Sequence, residues 1–353
     1  FNTIGEMSFI YVQIKKRSLI FICFTLSKLI TALSLNIYFI VYKGMGVLGM
    51  LYGNLIASLF IFVFLSIPIL FIVGFKFSSN KTKEMLKFSL PMIPGAIANF
   101  LVLVSDRYIV KVFGSLSHAG IYSLSYKFGT LPHKFVTVPF FQIWSVRRFE
   151  IFKNKDSEIV MGKIITYFMY ILFFVGLGIS VLIKDTIKFM ADEKFWSAYK
   201  YVPILVLSYI VFGLFNHFAT PILISKKTKY LSYIDITNGI TTVMLNIVMI
   251  KYYGIYGASF STLISYVFRI AMLYYIGNKL QKIYFEFYRV FKLFFVSMVL
   301  FFICLYIDMN SIVLNMMIKF LIALTFPLLL YIFRFYTKDE LAWGYSFIRR
   351  KSV

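Results

Sequence analysis

Leu35-Asn36-Ile37, Gly46-Val47-Leu48-Gly49 and Leu55-Ile56 return further along the chain as Leu245-Asn246-Ile247, Gly254-Ile255-Tyr256-Gly257 and Leu263-Ile264. The offset is 210 residues at the asparagine and 208 at the glycines. A single Gly-x-x-Gly marks no more than a tight turn in a helical hairpin. Three matching pieces in one order favour an internal repeat, and parallel repeats in an apolar chain are the mark of transporters built from two similar lobes.

Each copy lies between two long apolar runs. Working outward from them, such runs fall near 18–42, 47–73, 88–113, 119–145, 164–183, 201–224, 230–250, 255–276, 291–307 and 312–333. At 1.5 Å per residue, about 20 residues cross a hydrocarbon layer of about 30 Å. The pattern therefore predicts an all-α polytopic membrane protein with about ten spans. Composition agrees: 60% of residues are hydrophobic, 20% aromatic and 14% charged, with a mean hydropathy of +0.83. A soluble domain carries roughly 25% charge, and its core has no room for so much apolar surface. Cys23 and Cys304 lie inside apolar runs without metal-ligand spacing, so neither a disulfide framework nor a metal site is indicated, and no cofactor is expected.

The formal net charge of +23 would suggest nucleic acid in a soluble chain. Sorting the connections alternately to two sides puts 24 of the 37 Lys and Arg on one side. Only seven, Lys43, Lys111, Lys184, Lys188, Lys194, Lys200 and Lys251, fall on the other. Positive-inside bias explains this asymmetry without a nucleic-acid partner. It predicts a multi-pass protein of the cell (inner) membrane with a cytoplasmic C-terminus.

Six spans separate the repeat copies. The expected organisation is then residues 1–75 as the last two helices of an N-terminal lobe, 76–283 as a six-helix C-terminal lobe, and 284–353 as two terminal helices and a basic tail. On this register four helices, about 120 residues, are expected upstream of Phe1, giving fourteen in all.

Within residues 84–131 stand Leu90-Pro91-Met92-Ile93-Pro94, Ser105-Asp106-Arg107-Tyr108 and Gly120-Ile121-Tyr122-Ser123-Leu124-Ser125-Tyr126-Lys127. This stretch resembles the seventh and eighth helices of bacterial polysaccharide flippases. Those proteins belong to the multidrug, oligosaccharidyl-lipid and polysaccharide exporter superfamily. The glycine turns resemble that family's fifth-to-sixth and eleventh-to-twelfth hairpins, so the likeness covers nearly all of the chain after residue 18. It implies a two-lobed MATE-like bundle that moves an undecaprenyl-pyrophosphate-linked oligosaccharide to the outer leaflet by alternating access. The cell-surface polysaccharide would be of the O-antigen or capsule kind. Implied partners are the lipid-linked oligosaccharide, membrane lipids, and the polymerase and glycosyltransferases of the same pathway.

An ionisable group at membrane depth costs roughly 2.5–3.5 kcal/mol on insertion scales, which makes intramembrane charges functional candidates. These are Lys28, Asp106, Arg107, Lys127, Lys134, Asp235, Arg269 and Lys319, and six of the eight are basic. Cations suit a pyrophosphate cargo, whose charge needs a partner outside bulk water. Lys127 and Lys134 are seven apart, nearly two turns, on a helix that Pro132 and Pro139 should bend. Arg107 shares a face with Lys111, while Asp106 points about 100° away toward a neighbouring helix. Each cation either lines a cavity or forms a structural pair; for Lys28, Arg269 and Lys319 snorkelling is the simpler reading. Asn99 and Gln142 are candidates for sugar hydroxyls or for ties between helices, and Tyr126, with Tyr122, for a sugar face or core packing. Asp235, a turn or two from Lys226 to Lys229, reads as water-exposed.

Two rivals remain. A drug or cation antiporter of the same superfamily would need intramembrane carboxylates, of which Asp106 and Asp235 are the available ones. A polytopic glycan polymerase or ligase would need an acid/base constellation. The longest outer connection, 184–200, has no such constellation despite Asp185, Asp192 and Glu193, and His118, His133 and His217 are scattered singly. The reading is a transporter, not an enzyme.

Overall fold

Within a bilayer every backbone amide must find its partner inside the chain, and helices do this locally. The computed structural model describes residues 2–74, 78–151, 157–309, 311–338 and 340–341. Among these residues there is helix and turn and no strand. In chain order the helices are α1 (Asn2–Ile14), α2 (Ser18–Tyr42), α3 (Gly46–Val73), α4 (Ser79–Phe113), α5 (Leu116–Gly129), α6 (Val138–Ile151), α7 (Ser157–Met190), α8 (Val202–Ile224), α9 (Lys229–Leu280), α10 (Phe287–Leu305) and α11 (Ile312–Ile332). Eight helices among the described residues are long and apolar enough to cross a membrane.

Each of the ten apolar runs falls on helix, with three differences in how. The runs at 230–250 and 255–276 are arms of one 52-residue element, α9, broken at Gly254 with φ 56° and ψ −132°. The run at 119–145 becomes α5 and α6 joined by a π-helical turn at His133–Thr137, and it is not among the eight. The run at 164–183 lengthens to α7, which carries Asp185 inside a helix instead of in a loop. α1 was not expected at all.

The chain forms two compact units, residues 1–84 with 142–147, and the remainder. In the first, Val12 of α1 packs against Ile61 and Leu65 of α3, and the Ser8 hydroxyl donates to Ser66 at 2.9 Å. α2 and α3 form a hairpin in which a Cβ at Gly49 would stand 2.9 Å from that of Phe39, and one at Gly53 would collide with Asn36.

In the second unit α4 and the first arm of α9 approach closely. Pro91 and Pro94 open the backbone ladder within α4, where Leu90–Met92 is a 3-10 turn between its two helical parts. α9 supplies what is missing: the Thr228 hydroxyl donates to the Phe88 carbonyl at 2.8 Å, and Ser232 donates to that of Pro91. A Cβ at Gly95 would lie 2.9 Å from Ser232 Cα, so a small residue is required at this crossing.

Candidate functional site

Polar groups that cannot reach water must find one another, and in the second unit they do so in layers along the α9 hairpin. The layer nearer Gly254 centres on Asp106 of α4, which is 3% exposed. Its carboxylate accepts from the Asn246 amide at 2.5 Å and the Tyr122 hydroxyl at 3.5 Å. Ser261 donates to the Asn246 carbonyl oxygen, and the Tyr122 and Thr262 hydroxyls are 3.4 Å apart. The carboxylate is thus held by an amide donor and a hydroxyl donor, with no cation within ion-pair distance among the described residues. No grouping of His, Cys, Asp and Glu suited to a metal occurs among the described residues.

The next layer is aromatic. The Tyr209 hydroxyl donates to that of Tyr126 at 2.5 Å, and the Tyr209 ring meets those of Tyr126 and Tyr266 edge-on at 5.7 and 5.8 Å. The third layer pairs Arg269 with Asp235 at 2.5 Å, with Asn99 hydrogen-bonded to the same carboxylate. The Arg269 guanidinium lies 4.2 Å from the Phe215 ring centre. Asp235 is thus buried, not wet: Gly254 turns the chain back and delivers Arg269 to it, which distance from a basic loop could not reveal.

Of the other residues singled out from the sequence, Arg107, Lys127 and Lys134 are exposed, and no acid among the described residues pairs with them. The Arg107 guanidinium lies over the Tyr126 ring at 5.1 Å, tying it to the aromatic layer. Tyr126 itself is 8% exposed and Tyr122 fully enclosed. Lys28, on α2 of the first unit, and Asn99 are half-buried, and Gln142 on α6 is exposed.

Two clusters escaped the sequence reading. Lys319 of α11 is 3% exposed and pairs with Asp185 at 3.1 Å, while the Asn315 amide donates to both carboxylate oxygens at 3.0 Å. Arg289 of α10 bridges Glu286 at 3.0 Å and Glu340 at 2.9 Å. Burial disfavours the charge on Glu340, but the Thr337 amide at 2.8 Å, the Tyr167 hydroxyl and Arg289 outweigh it and hold the carboxyl below its ordinary value. Partners 51 and 134 positions apart leave no local signal.

Residues 1–146 match the model of a family described as polysaccharide biosynthesis protein. No curated protein matches the chain. Among solved structures the fold is similar to that of lipid II flippase MurJ in an inward closed conformation, with a TM-score of 0.66 and 17% identity over 92% of this chain and 71% of that one. The family model covers residues 1–146 of the 353, and the likeness to the solved structure, at 17% identity, is one of fold.

Proposed function

We propose that this multi-pass protein of the inner membrane flips an undecaprenyl-pyrophosphate-linked oligosaccharide from the cytoplasmic to the outer leaflet by alternating access, and performs no covalent chemistry. The observation that carries the reading is the division of charge in the second unit. Among the described residues, two of its three buried aspartates, Asp185 and Asp235, are neutralised by Lys319 and Arg269, whereas Arg107, Lys127 and Lys134 stand exposed with no acid paired to them. Unpaired cations at membrane depth suit an anionic headgroup and repel a cationic drug, which weighs against the antiporter reading. The fold of a lipid II flippase supports transport of a lipid-linked precursor.

In this reading the headgroup travels against Arg107, Lys127 and Lys134 while its isoprenoid tail stays in the bilayer. Asn99 of the same unit offers a hydrogen bond to a sugar. The basic loops and the tail face the cytoplasm. The reading is tested with the full chain in liposomes, scoring access of a quencher to a fluorescent lipid-linked pyrophosphoryl glycan and to a zwitterionic phospholipid. Protein-dependent crossing of the glycan alone is expected; crossing of neither refutes the proposal.

A further inference from the structure

Where α4 turns into α5 at Gly114 and α9 reverses at Gly254, the second unit opens a cavity of about 310 Å³. His118, Lys251, Tyr201 and Tyr253 line it, with Val110 and Ile250 among the apolar residues beside them. A volume of this size is at the lower bound of small-molecule sites, roughly 300 to 1,000 Å³. Other cavities of the unit are of another kind. One of about 240 Å³ between Phe173, Phe260, Phe294 and Phe301, and one of about 370 Å³ between Phe128, Phe174 and Phe320, are walled by aliphatic and aromatic groups and carry no charge.

Lys251 of the polar cavity belongs, by the sorting of connections, to the side that carries only seven Lys and Arg, where positive-inside bias works against it. Lys251 nevertheless has a counterpart 208 residues earlier: Lys43 occupies the same place before the turn of the other repeat. Both lysines are exposed. The His118 ring is fixed by Ser115, whose hydroxyl lies 3.2 Å from Nδ1, and its Nε2 has no partner among the described residues. The acids that follow α7 do not line the cavity; Asp192 is paired with Lys194 at 3.6 Å, and Glu193 is exposed.

We infer that this cavity is a binding site for the phosphate-bearing sugar headgroup on the outer side of the membrane, where the cargo rests after crossing. Lys251 and His118 meet the phosphate, and Tyr201 and Tyr253 offer faces to the first sugar. The inference rests on the flippase reading for the identity of its ligand. Its chemistry is that of a pyrophosphate ester, which a free anion or an anionic lipid surface shares in part.

The test uses the full chain in nanodiscs of zwitterionic lipid, titrated with inorganic pyrophosphate or loaded with undecaprenyl-pyrophosphoryl glycan. A third arm uses discs containing anionic phospholipid. Lys251→Gln and His118→Gln should each weaken binding of both pyrophosphates by about tenfold, whereas Lys194→Gln, on the same side but outside the cavity, should not. All three side chains are exposed, so the fold is retained, and a thermal melt confirms it. Equal affinity in the wild type and both cavity variants, or a response to anionic phospholipid alone, overturns the site. A wild-type protein that flips normally with no such loss refutes the site alone. Loss of binding in the variants of a protein that flips nothing keeps the site and refutes the flippase reading.

Discussion

Asp235 and Arg269 are 34 positions apart in one 52-residue helical element, yet their side chains meet at 2.5 Å. In an unbroken helix they would be separated by roughly 51 Å. The pair therefore records the reversal at Gly254 and ties the two arms together deep in the second unit. With Asp235 so neutralised, Arg107, Lys127 and Lys134 stand among the exposed cations of that unit.

Breaking the pair from either end strands a buried charge. Asp235→Asn or Arg269→Met should each destabilise the protein by about 3–5 kcal/mol, and the double variant by much less than their sum. Thermal unfolding of the purified protein in detergent measures this. Additive losses would show that the two residues act separately.

Gly254 has a backbone conformation that residues with a Cβ rarely adopt. Gly254→Ala should lower stability by about 1–3 kcal/mol. Gly178→Ala is the control, because it lies in ordinary helix with open space around it, and it should be neutral or slightly stabilising. Similar melting temperatures for the two variants would contradict the strained turn.

The segment after α11 is pinned by Arg289 to Glu340, by Lys292 to the Arg334 carbonyl at 2.8 Å, and by Phe335 at 1% exposure. Because the Glu340 carboxyl is held below its ordinary 4.5, its contribution is present above that value and is lost as pH falls through the lowered one. A spin label replacing Lys338 should stay immobile at pH 7 and gain mobility in strong acid. Glu340→Gln should give that mobility already at neutral pH. A label equally immobile in the variant would remove the ion pair from the account.

The spans were legible because a bilayer demands long apolar helices whatever the function. The repeat was legible too, and its physical content is now visible: Gly46 and Gly254, 208 residues apart, both have positive φ, at 52° and 56°. Gly49 and Gly257 each leave no room for a Cβ against the preceding arm, and Asn36 and Asn246 each back onto the residue four positions after those glycines. Asp106 was singled out with the right expectation of a neighbouring helix, although its partners are an amide and a hydroxyl instead of a cation. Asp185 was not legible, since α7 runs on past its apolar stretch and buries a carboxylate that composition assigns to a loop. α1 was passed over because its 13 residues, with Glu6 among them, are too short and too polar to read as a span.

In the proposed function the exposed cations Arg107 and Lys127 of the second unit carry the cargo. The direct measurement is the rate at which full chains in liposomes move a fluorescent lipid-linked pyrophosphoryl glycan, compared between wild type and Arg107→Ala with Lys127→Ala. The two side chains are exposed, so melting temperature and insertion should be unchanged while the flipping rate falls by at least about tenfold, as expected for lost charge-assisted contacts. A double variant that flips the glycan at the wild-type rate would contradict the account.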